Sequence, residues 1–313
     1  SETEAGFTNK VERYSVDADK WETLPCLPNA CCELSACALE GQVYIFGRSE
    51  DEEQFFFTFD SHVKLWKDLG TVPLSWECLN ENPIQTAVLN GYIYVLGIQP
   101  RVCNFICSCG KGCGVSRIAR YSRNTGSWEM LPEWPSQTHA DDFKMVAANG
   151  SLFLLGGCNS NPAPTANFEM FNPDIGKWKA LELIDADLRC AVQREGQGKI
   201  VSLDKKIFVS HTERLDIYDH ENPDQSYGFK WHFKSYFAHA CWWYDCGLGC
   251  WTRGPPLPVD GDDAALVHLS GVPYMIGGNG WKDVFGLNVK FRRSMWHKYM
   301  SPAYMGHSRY ASL

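Results

Sequence analysis

The segment VERYSVDADKW, residues 11–21, places an aromatic residue, Tyr14, seven positions before Trp21. This spacing returns along the chain, each time with a tryptophan as the second member. The further pairs are Phe59 and Trp66, Tyr121 and Trp128, Phe171 and Trp178, and Tyr244 and Trp251. Turn-forming residues lie inside each pair, as in NPDIG at residues 172–176, and such residues adopt the backbone angles of tight turns. Each pair therefore predicts a β-hairpin with one aromatic ring on each strand.

A second series alternates with the first and consists of a glycine, an aromatic residue three positions later, and a glycine three positions after that. The copies are Gly41…Tyr44…Gly47, Gly91…Tyr94…Gly97, Gly150…Phe153…Gly156 and Gly271…Tyr274…Gly277, with a degenerate copy at Lys205…Phe208…His211. Apolar runs flank the first glycine, as in SACALEGQVYIFG at residues 35–47. Glu-Gly and Asn-Gly tolerate the positive φ of a two-residue turn, so each copy predicts another hairpin. The two series together predict a repeat of four antiparallel strands, a to d, over about 50 residues.

These motifs resemble the repeats of the kelch family, in which a double glycine follows strand b and a tyrosine and a tryptophan occupy strands c and d. Gly156-Gly157 and Gly277-Gly278 keep the double glycine, whereas the other copies keep one glycine or none. The resemblance implies an all-β fold, a kelch β-propeller of four-stranded antiparallel blades, as a single domain over residues 1–313. The repeat aromatics would then lie between neighbouring blades. They are Tyr14, Trp21, Trp66, Tyr121, Trp128, Trp178, Tyr244 and Trp251.

The number of blades is open from the sequence. The c–d hairpins are predicted near residues 11–25, 56–69, 118–131, 168–181, 241–254 and 284–300. In the last of these, Val289 takes the aromatic position seven residues before Trp296. We predict six sectors, the first of which begins at strand c. The alternative is five blades closed by the N-terminal hairpin, with residues 281–313 as an appended tail; closure would remove exposed sheet edges.

Composition restricts the classes of function. The formal net charge of −8 disfavours nucleic acid or an anionic membrane as the main partner, because phosphate groups bind basic surfaces. No apolar run reaches the roughly 20 residues of a membrane-spanning helix, and the first residues do not resemble a signal peptide. Several of the 14 cysteines, Cys37 among them, lie in apolar strand patterns where a free thiol packs as a small hydrophobe. The sequence therefore predicts the cytoplasm or the nucleus as the location.

Two predicted connections between strands b and c are unusually long, Ile98–Ser116 and His211–Ala240. Long loops in compact domains are often functional, and Trp and Arg are frequent among the residues that dominate protein interfaces. In kelch propellers the b–c and d–a connections emerge on the face that binds partners, which we call the loop face. We predict a protein-binding site there, formed by Trp76, Glu77, Arg101, Trp134, His139, Asp141, Tyr227, Trp281 and Lys282.

Metal and catalytic chemistry find little support in the sequence. Cys103, Cys107, Cys109 and Cys113 could ligate zinc, but they lack the usual closely spaced ligand pairs, so free thiols are favoured. A second group, His239, Cys241, Cys246 and Cys250, is assigned to packing around a repeat strand. The histidines form no spaced set for copper, and the sequence contains no nucleophile elbow or phosphate-binding glycine loop. We therefore predict no catalytic residue and no cofactor.

The resemblance extends to the BTB–kelch proteins, which are substrate adaptors of cullin-3 ubiquitin ligases. It implies a non-catalytic, monomeric propeller that binds a substrate protein, as a short degron or a helix, on the loop face. Cullin-3 would bind only through BTB and BACK domains outside this chain, and the BTB domain would make the parent dimeric. An actin-binding or other non-catalytic kelch scaffold is the first alternative, and a metal-dependent propeller enzyme is the second. A BTB domain in the parent would distinguish the adaptor from the scaffold, and metal content would identify the enzyme.

Overall fold

The structure is a computed structural model of the 313-residue chain. It describes residues 8–15, 17–49, 51, 53–74, 84–100, 114–133, 143–156, 167–183, 188, 198–218, 233–255, 265–269, 272–276, 284–288 and 295–299. Within these ranges the regular elements are β-strands, with the exception of Leu188, which has a helical backbone. The prediction of an all-β fold is confirmed.

Strands β1 (Val11–Ser15) and β2 (Lys20–Leu24) form a two-stranded hairpin. Five four-stranded sheets follow, which we call blades I to V. Blade I holds β3 (Cys31–Leu39), β4 (Gln42–Ser49), β5 (Gln54–Asp60) and β6 (Leu65–Asp68). Blade II holds β7 (Gln85–Leu89), β8 (Tyr92–Pro100), β9 (Gly114–Ser122) and β10 (Ser127–Met130). Blade III holds β11 (Lys144–Ala148), β12 (Ser151–Gly156), β13 (Asn167–Asn172) and β14 (Lys177–Ala180). Blade IV holds β15 (Gly198–Leu203), β16 (Lys206–Tyr218), β17 (Phe233–Asp245) and β18 (Cys250–Arg253). Blade V holds β19 (Ala265–Leu269), β20 (Val272–Ile276), β21 (Val284–Asn288) and β22 (Met295–Tyr299).

The strands of each blade pair in chain order and run antiparallel, so that they correspond to strands a, b, c and d of the repeat. The first strands of successive blades, β3, β7, β11, β15 and β19, lie next to one another. Each blade is therefore joined to the next along its first strand, and the other three strands extend outwards. This is the arrangement of a β-propeller.

Two-residue turns join strands a and b, as the Glu-Gly and Asn-Gly sequences predict. Glu40 and Gly41 have φ of 50° and 77°, and Asn90 and Gly91 have φ of 51° and 79°. Positive φ at both central residues defines the type I′ turn, whose twist matches that of the flanking strands. Glycine is required at the second position because a side chain there would be strained.

The aromatic residues spaced by seven lie directly opposite each other on strands c and d, as predicted. Tyr14 pairs with Trp21, and the same register occurs in blades I to IV. Ring centroids within the five pairs are separated by 5.4, 4.9, 5.2, 5.0 and 5.0 Å in chain order. Rings at this separation gain stabilisation beyond the area that they bury. The spacing in the sequence thus reports a cross-strand contact.

These aromatic pairs also contact the preceding blade. Phe56 of blade I lies 4.9 Å from the ring of Tyr121 and 5.5 Å from that of Trp128, both in blade II. Phe168 of blade III repeats the contact with blade IV, at 4.8 Å from Tyr244 and 5.2 Å from Trp251. Each apolar cluster of this kind is shared by two neighbouring blades. The hydrophobic core is therefore a set of layers between blades.

The N-terminal hairpin packs on blade I as strands c and d of a preceding sector would. Val11 joins the apolar cluster that contains Trp66 of blade I. The indole N–H of Trp66 donates to the carbonyl oxygen of Pro25 at 3.0 Å, just after β2. Trp178 of blade III donates in the same way to the carbonyl of Pro132, just after strand d of blade II, at 3.2 Å. The hairpin is thus equivalent to the outer half of a blade.

The structure corrects two details of the sequence interpretation and decides against the alternative of a tail for residues 284–288. Trp296 lies opposite Leu287, nine positions before it, so Val289 is not its partner. Strand β20 pairs with β21, which places residues 284–288 in blade V and not in an appended tail. The two long connections are shorter than predicted, because their ends are strand: β8 and β9 pair as far as Pro100 and Gly114. In blade IV, β16 and β17 pair as far as Tyr218 and Phe233.

Candidate functional site

All b–c and d–a connections leave the described strands at one end of the propeller. The a–b and c–d turns lie at the other end, because strands alternate in direction across each blade. The loop face is consequently the end at which strands a and c begin and strands b and d finish. It is bordered by the described strand ends that flank each connection.

The predicted binding residues lie in connections that start or finish at this end, and all nine fall outside the described residues. Trp76 and Glu77 belong to the connection between blades I and II, and Trp134, His139 and Asp141 to that between blades II and III. Arg101, Tyr227 and the pair Trp281 and Lys282 belong to the b–c connections of blades II, IV and V. The topology therefore places the starts and ends of these five connections at one end, and the positions and contacts of the nine residues stay a prediction.

Charged residues fix the rim of the loop face between strands c and d of blade II. The guanidinium of Arg117, near the start of β9, lies 2.6 Å from the carboxylate of Glu133. Their side chains are 20% and 43% exposed, so the pair is worth at most about 1 kcal/mol. Glu133 directly precedes the connection that carries Trp134. The ion pair therefore joins strand c to the residue that directly precedes a predicted binding loop.

Hydrogen bonds between first strands hold neighbouring blades in register near the same end. Ser35 Oγ and Thr86 Oγ1 lie 2.9 Å apart and join the first strands of blades I and II. The amide of Met145 in blade III donates to Oε1 of Gln85 in blade II at 3.5 Å. These bonds tie three blades together beneath the loop face, so the connections above them start from fixed positions.

The structure also places buried polar residues at this end that the sequence interpretation missed. Ser49 ends β4 and Asn167 begins β13, and Oγ of the first and Nδ2 of the second are buried without a hydrogen-bond partner in the described part of the chain. Glu169, two residues further along β13, is only 3% exposed. Buried polar groups are normally hydrogen-bonded. The sequence signal that could have identified such residues is a polar residue within an apolar strand pattern, as in NFEMFN.

Blade IV carries the largest described feature of the loop face. Strands β16 and β17 are 13 residues each, and the described strand β15, which begins at Gly198, pairs with residues 206–211 of β16. Residues 212–218 of β16 pair with residues 233–239 of β17, and we call these two segments the ribbon. Seven residues of antiparallel strand span about 20 Å. The ribbon thus projects from blade IV at the end where the predicted binding loops lie.

Three of the described cysteines, Cys37, Cys241 and Cys246, are packing residues with little nucleophilic character. Burial raises the pKa of the Cys37 thiol and of the Cys241 thiol to about 12, and that of Cys246 to about 11. All three are therefore protonated at neutral pH, whereas metal ligation and nucleophilic attack require the thiolate. No group of three or more His, Cys, Asp or Glu suited to a metal ion occurs among the described residues. The candidate zinc set, Cys103 to Cys113, lies outside them.

The opposite end of the propeller displays single aliphatic side chains at the tips of c–d turns. Val63, Ile175 and Leu248 occupy the same turn position in blades I, III and IV and are 61%, 65% and 78% exposed. Isolated exposed apolar residues are common on protein surfaces and do not by themselves mark a site. They are nevertheless suitable positions for control substitutions, because they are exposed and lie at the end opposite the loop face.

Comparisons with known proteins agree with this architecture. The family model of the Kelch motif matches residues 141–182, which include all four strands of blade III. The kelch repeat and BTB domain-containing protein 12 of Danio rerio is 29% identical over 200 residues, which cover 55% of this chain and 29% of that protein. The match thus spans less than a third of that relative's length.

A solved structure extends the likeness to nearly the whole chain. The structure of YjhT has a TM-score of 0.61 to this chain at 14% sequence identity, and the match covers 89% of this chain and 87% of YjhT. At this identity the likeness concerns the fold alone. No described helix has the length and apolarity to cross a membrane. The chain folds as a kelch β-propeller, and parts of its sequence are similar to the Kelch motif and to a kelch-repeat protein.

Proposed function

We propose that the chain is a protein-interaction domain that recruits a substrate protein to a cullin-3 RING ubiquitin ligase through the loop face. The observation that carries this proposal is the convergence of the predicted binding connections on one end of the propeller. Fixed strand ends and inter-blade hydrogen bonds border that end. A rigid scaffold that presents variable loops is a common basis for protein recognition.

The link to cullin-3 is proposed from the relative whose name includes a BTB domain. In this proposal the propeller captures the substrate, cullin-3 binds through BTB and BACK domains of the parent, and other subunits transfer ubiquitin. The propeller itself is non-catalytic. The parent acts in the cytoplasm or nucleus, where a reducing environment suits the six cysteines whose side chains the structure describes, all of them free thiols.

The test compares three forms of the chain as affinity baits in cytosolic lysate: wild type, Trp76→Ala/Trp134→Ala/Trp281→Ala, and Val63→Ser/Ile175→Ser/Leu248→Ser. The second form alters the loop face and the third the opposite end, where the three side chains are exposed. Circular dichroism verifies that both variants fold. We expect a partner that the wild type and the opposite-end variant retain and that the loop-face variant loses.

Two outcomes would contradict parts of the proposal. Equal retention of every partner by the loop-face variant would move the binding site away from these loops. Loss of a partner by the loop-face variant supports binding at the loop face. If the cellular level of that partner does not change after depletion of cullin-3, recruitment to the ubiquitin ligase is contradicted. In the ligase model, that depletion raises the cellular level of the partner.

A further inference from the structure

The connection from blade I to blade II is buried at both of its described ends. Leu74 and Ile84 are each 2% exposed, and both belong to the apolar cluster between these two blades. Residues 75–83, which include the predicted binding residues Trp76 and Glu77, lie between them in the chain. The chain therefore leaves the layer between the blades at Leu74 and returns to the same layer at Ile84.

The connection from blade II to blade III has the same construction. Leu131 and Phe143 are 6% and 2% exposed, and both belong to the apolar cluster between blades II and III. The amide of Leu131 also donates to the carbonyl oxygen of Ile118 in strand c at 2.8 Å. Residues 132–142, with three of the predicted binding residues, lie between these two fixed ends.

Blade II stands between the two connections. Packed sheets lie about 10 Å apart, so the apolar layers on its two sides are also about 10 Å apart. Thr86 and Gln85 of its first strand bond to blades I and III, which fixes this spacing near the loop face. An α-helix with its side chains is about 10–12 Å wide, and an extended strand is narrower. The fixed ends of the two connections therefore flank a space that suits one polypeptide segment.

The connection from blade III to blade IV supplies a matched control. Leu183 and Leu188 are 4% and 0% exposed and lie in the apolar cluster between those blades. The residues that follow up to β15 include none of the nine predicted binding residues. Truncation of Leu183 thus disturbs an equivalent layer without altering a predicted binding loop.

We propose that Leu74 with Ile84, and Leu131 with Phe143, are positioning residues that hold two binding loops in order on either side of blade II. The substrate protein then enters between these loops as a single helix or extended segment. This inference rests on the proposed function and names the part of the loop face that performs it. The four side chains are buried and act through the loops, because loops that are ordered before binding lower the entropic cost of binding.

Hydrogen–deuterium exchange of the 313-residue chain, without any partner, tests the positioning role. Removal of a buried leucine side chain leaves a cavity and weakens the contacts around it. We expect Leu74→Ala to speed amide exchange in residues 75–83 roughly tenfold or more, and Leu131→Ala to do so in residues 132–142. Leu183→Ala should speed exchange in neither segment. If Leu74→Ala does not fold, the milder Ile84→Val at the other end of the same loop takes its place.

Capture of the partner that the wild type retains from lysate is the second measurement. Leu74→Ala and Leu131→Ala should each lower the captured amount several-fold, whereas Leu183→Ala should not. Leu74→Met nearly conserves volume and should restore both exchange and capture.

Unchanged exchange in both segments would overturn the positioning role. An equal loss of capture in Leu183→Ala would overturn the placement of the site at blade II. Failure of the proposed function is read separately, from the wild type and from cullin-3 depletion, because the exchange measurement needs no partner.

Discussion

Gly254, immediately after strand d of blade IV, shows how a single residue position limits the side chains that the fold accepts. Its amide donates to the carbonyl oxygen of Cys241 at 2.8 Å, and the Cys241 thiol donates to the carbonyl of Pro255 at 2.6 Å. A Cβ on Gly254 would lie 2.5 Å from Sγ of Cys241 and 2.9 Å from Nε1 of Trp243. Both distances are too short for non-bonded atoms, so glycine is required for space.

We predict that Gly254→Ala lowers the free energy of unfolding by about 1–3 kcal/mol, the usual cost of overpacking. Urea denaturation monitored by tryptophan fluorescence measures it. Gly247→Ala is the matched control in the adjacent turn, where an added Cβ would meet its nearest atom at an ordinary 3.4 Å. An equal loss of stability in both variants would contradict the steric explanation.

At the scale of the element, the c–d turns of blades I, III and IV each have a side-chain acceptor at their first position. Oδ1 of Asp60 accepts the amides of His62 and Val63, and Oδ1 of Asp245 accepts those of Gly247 and Leu248. Asn172 accepts two amides in the same way in blade III. Asp and Asn favour turns through this type of bond.

The two aspartates make this turn geometry dependent on pH. The amide of His62, followed by that of Val63, lowers the pKa of Asp60, and the amide of Leu248 is the main cause of the lowered pKa of Asp245. A carboxylate whose pKa is lower in the folded state stabilises that state above its unfolded pKa of about 3.9. This contribution is lost as the pH falls through the folded pKa.

We predict that Asp60→Asn/Asp245→Asn makes the midpoint of urea denaturation less dependent on pH between neutral and strongly acidic solution. Asparagine keeps the acceptor, as Asn172 shows, but does not titrate. Urea midpoints at a series of pH values measure the effect. An unchanged steepness of the acid-induced loss in the double variant would rule out these two carboxylates as contributors.

Elements were predictable where the sequence repeats a local pattern. The spacing of the aromatic pairs predicted the c–d hairpins, and the turn glycines predicted the a–b hairpins. Cross-strand aromatic pairs and backbone angles with positive φ each restrict the residue types that can occupy these positions. The ribbon was interpreted as loop although residues 214–217 alternate charged and apolar side chains, because the repeat pattern places a b–c connection there. The Leu287–Trp296 pair was missed because a longer turn changes the spacing.

At the scale of the whole molecule, neighbouring blades are held by apolar layers and by one repeated hydrogen bond. Trp66 donates to the carbonyl of Pro25 in the preceding sector. Trp251 occupies the same repeat position, yet its indole N–H is buried without a partner in the described ranges. The two tryptophans therefore offer a comparison of similar rings that differ in one hydrogen bond.

We predict that Trp66→Phe lowers the free energy of unfolding by about 1 kcal/mol more than Trp251→Phe does, which is the net value of a typical hydrogen bond. Both substitutions remove comparable ring area, and only the first leaves a carbonyl without its donor. Chemical denaturation of both variants measures the difference. Equal losses would show that the indole bond contributes nothing to the contact between blades.

The binding site itself was only partly predictable at this scale. The repeat fixes which connections reach the loop face, because strand direction alternates within every blade. It does not fix which residues meet a partner, since the nine predicted residues lie in connections that the repeat pattern does not constrain. Ser49, Asn167 and the Arg117–Glu133 pair emerge only when the strands are placed beside one another.

Hydrogen–deuterium exchange of the chain with and without its captured partner tests directly whether the partner binds the loop face. We expect slower exchange in residues 75–83, 134–142 and 277–283 when the partner is bound, with unchanged exchange in the turns at residues 61–64, 173–176 and 246–249. Protection of those turns, with no change in the three connections, would contradict it and place the partner on the opposite end of the propeller.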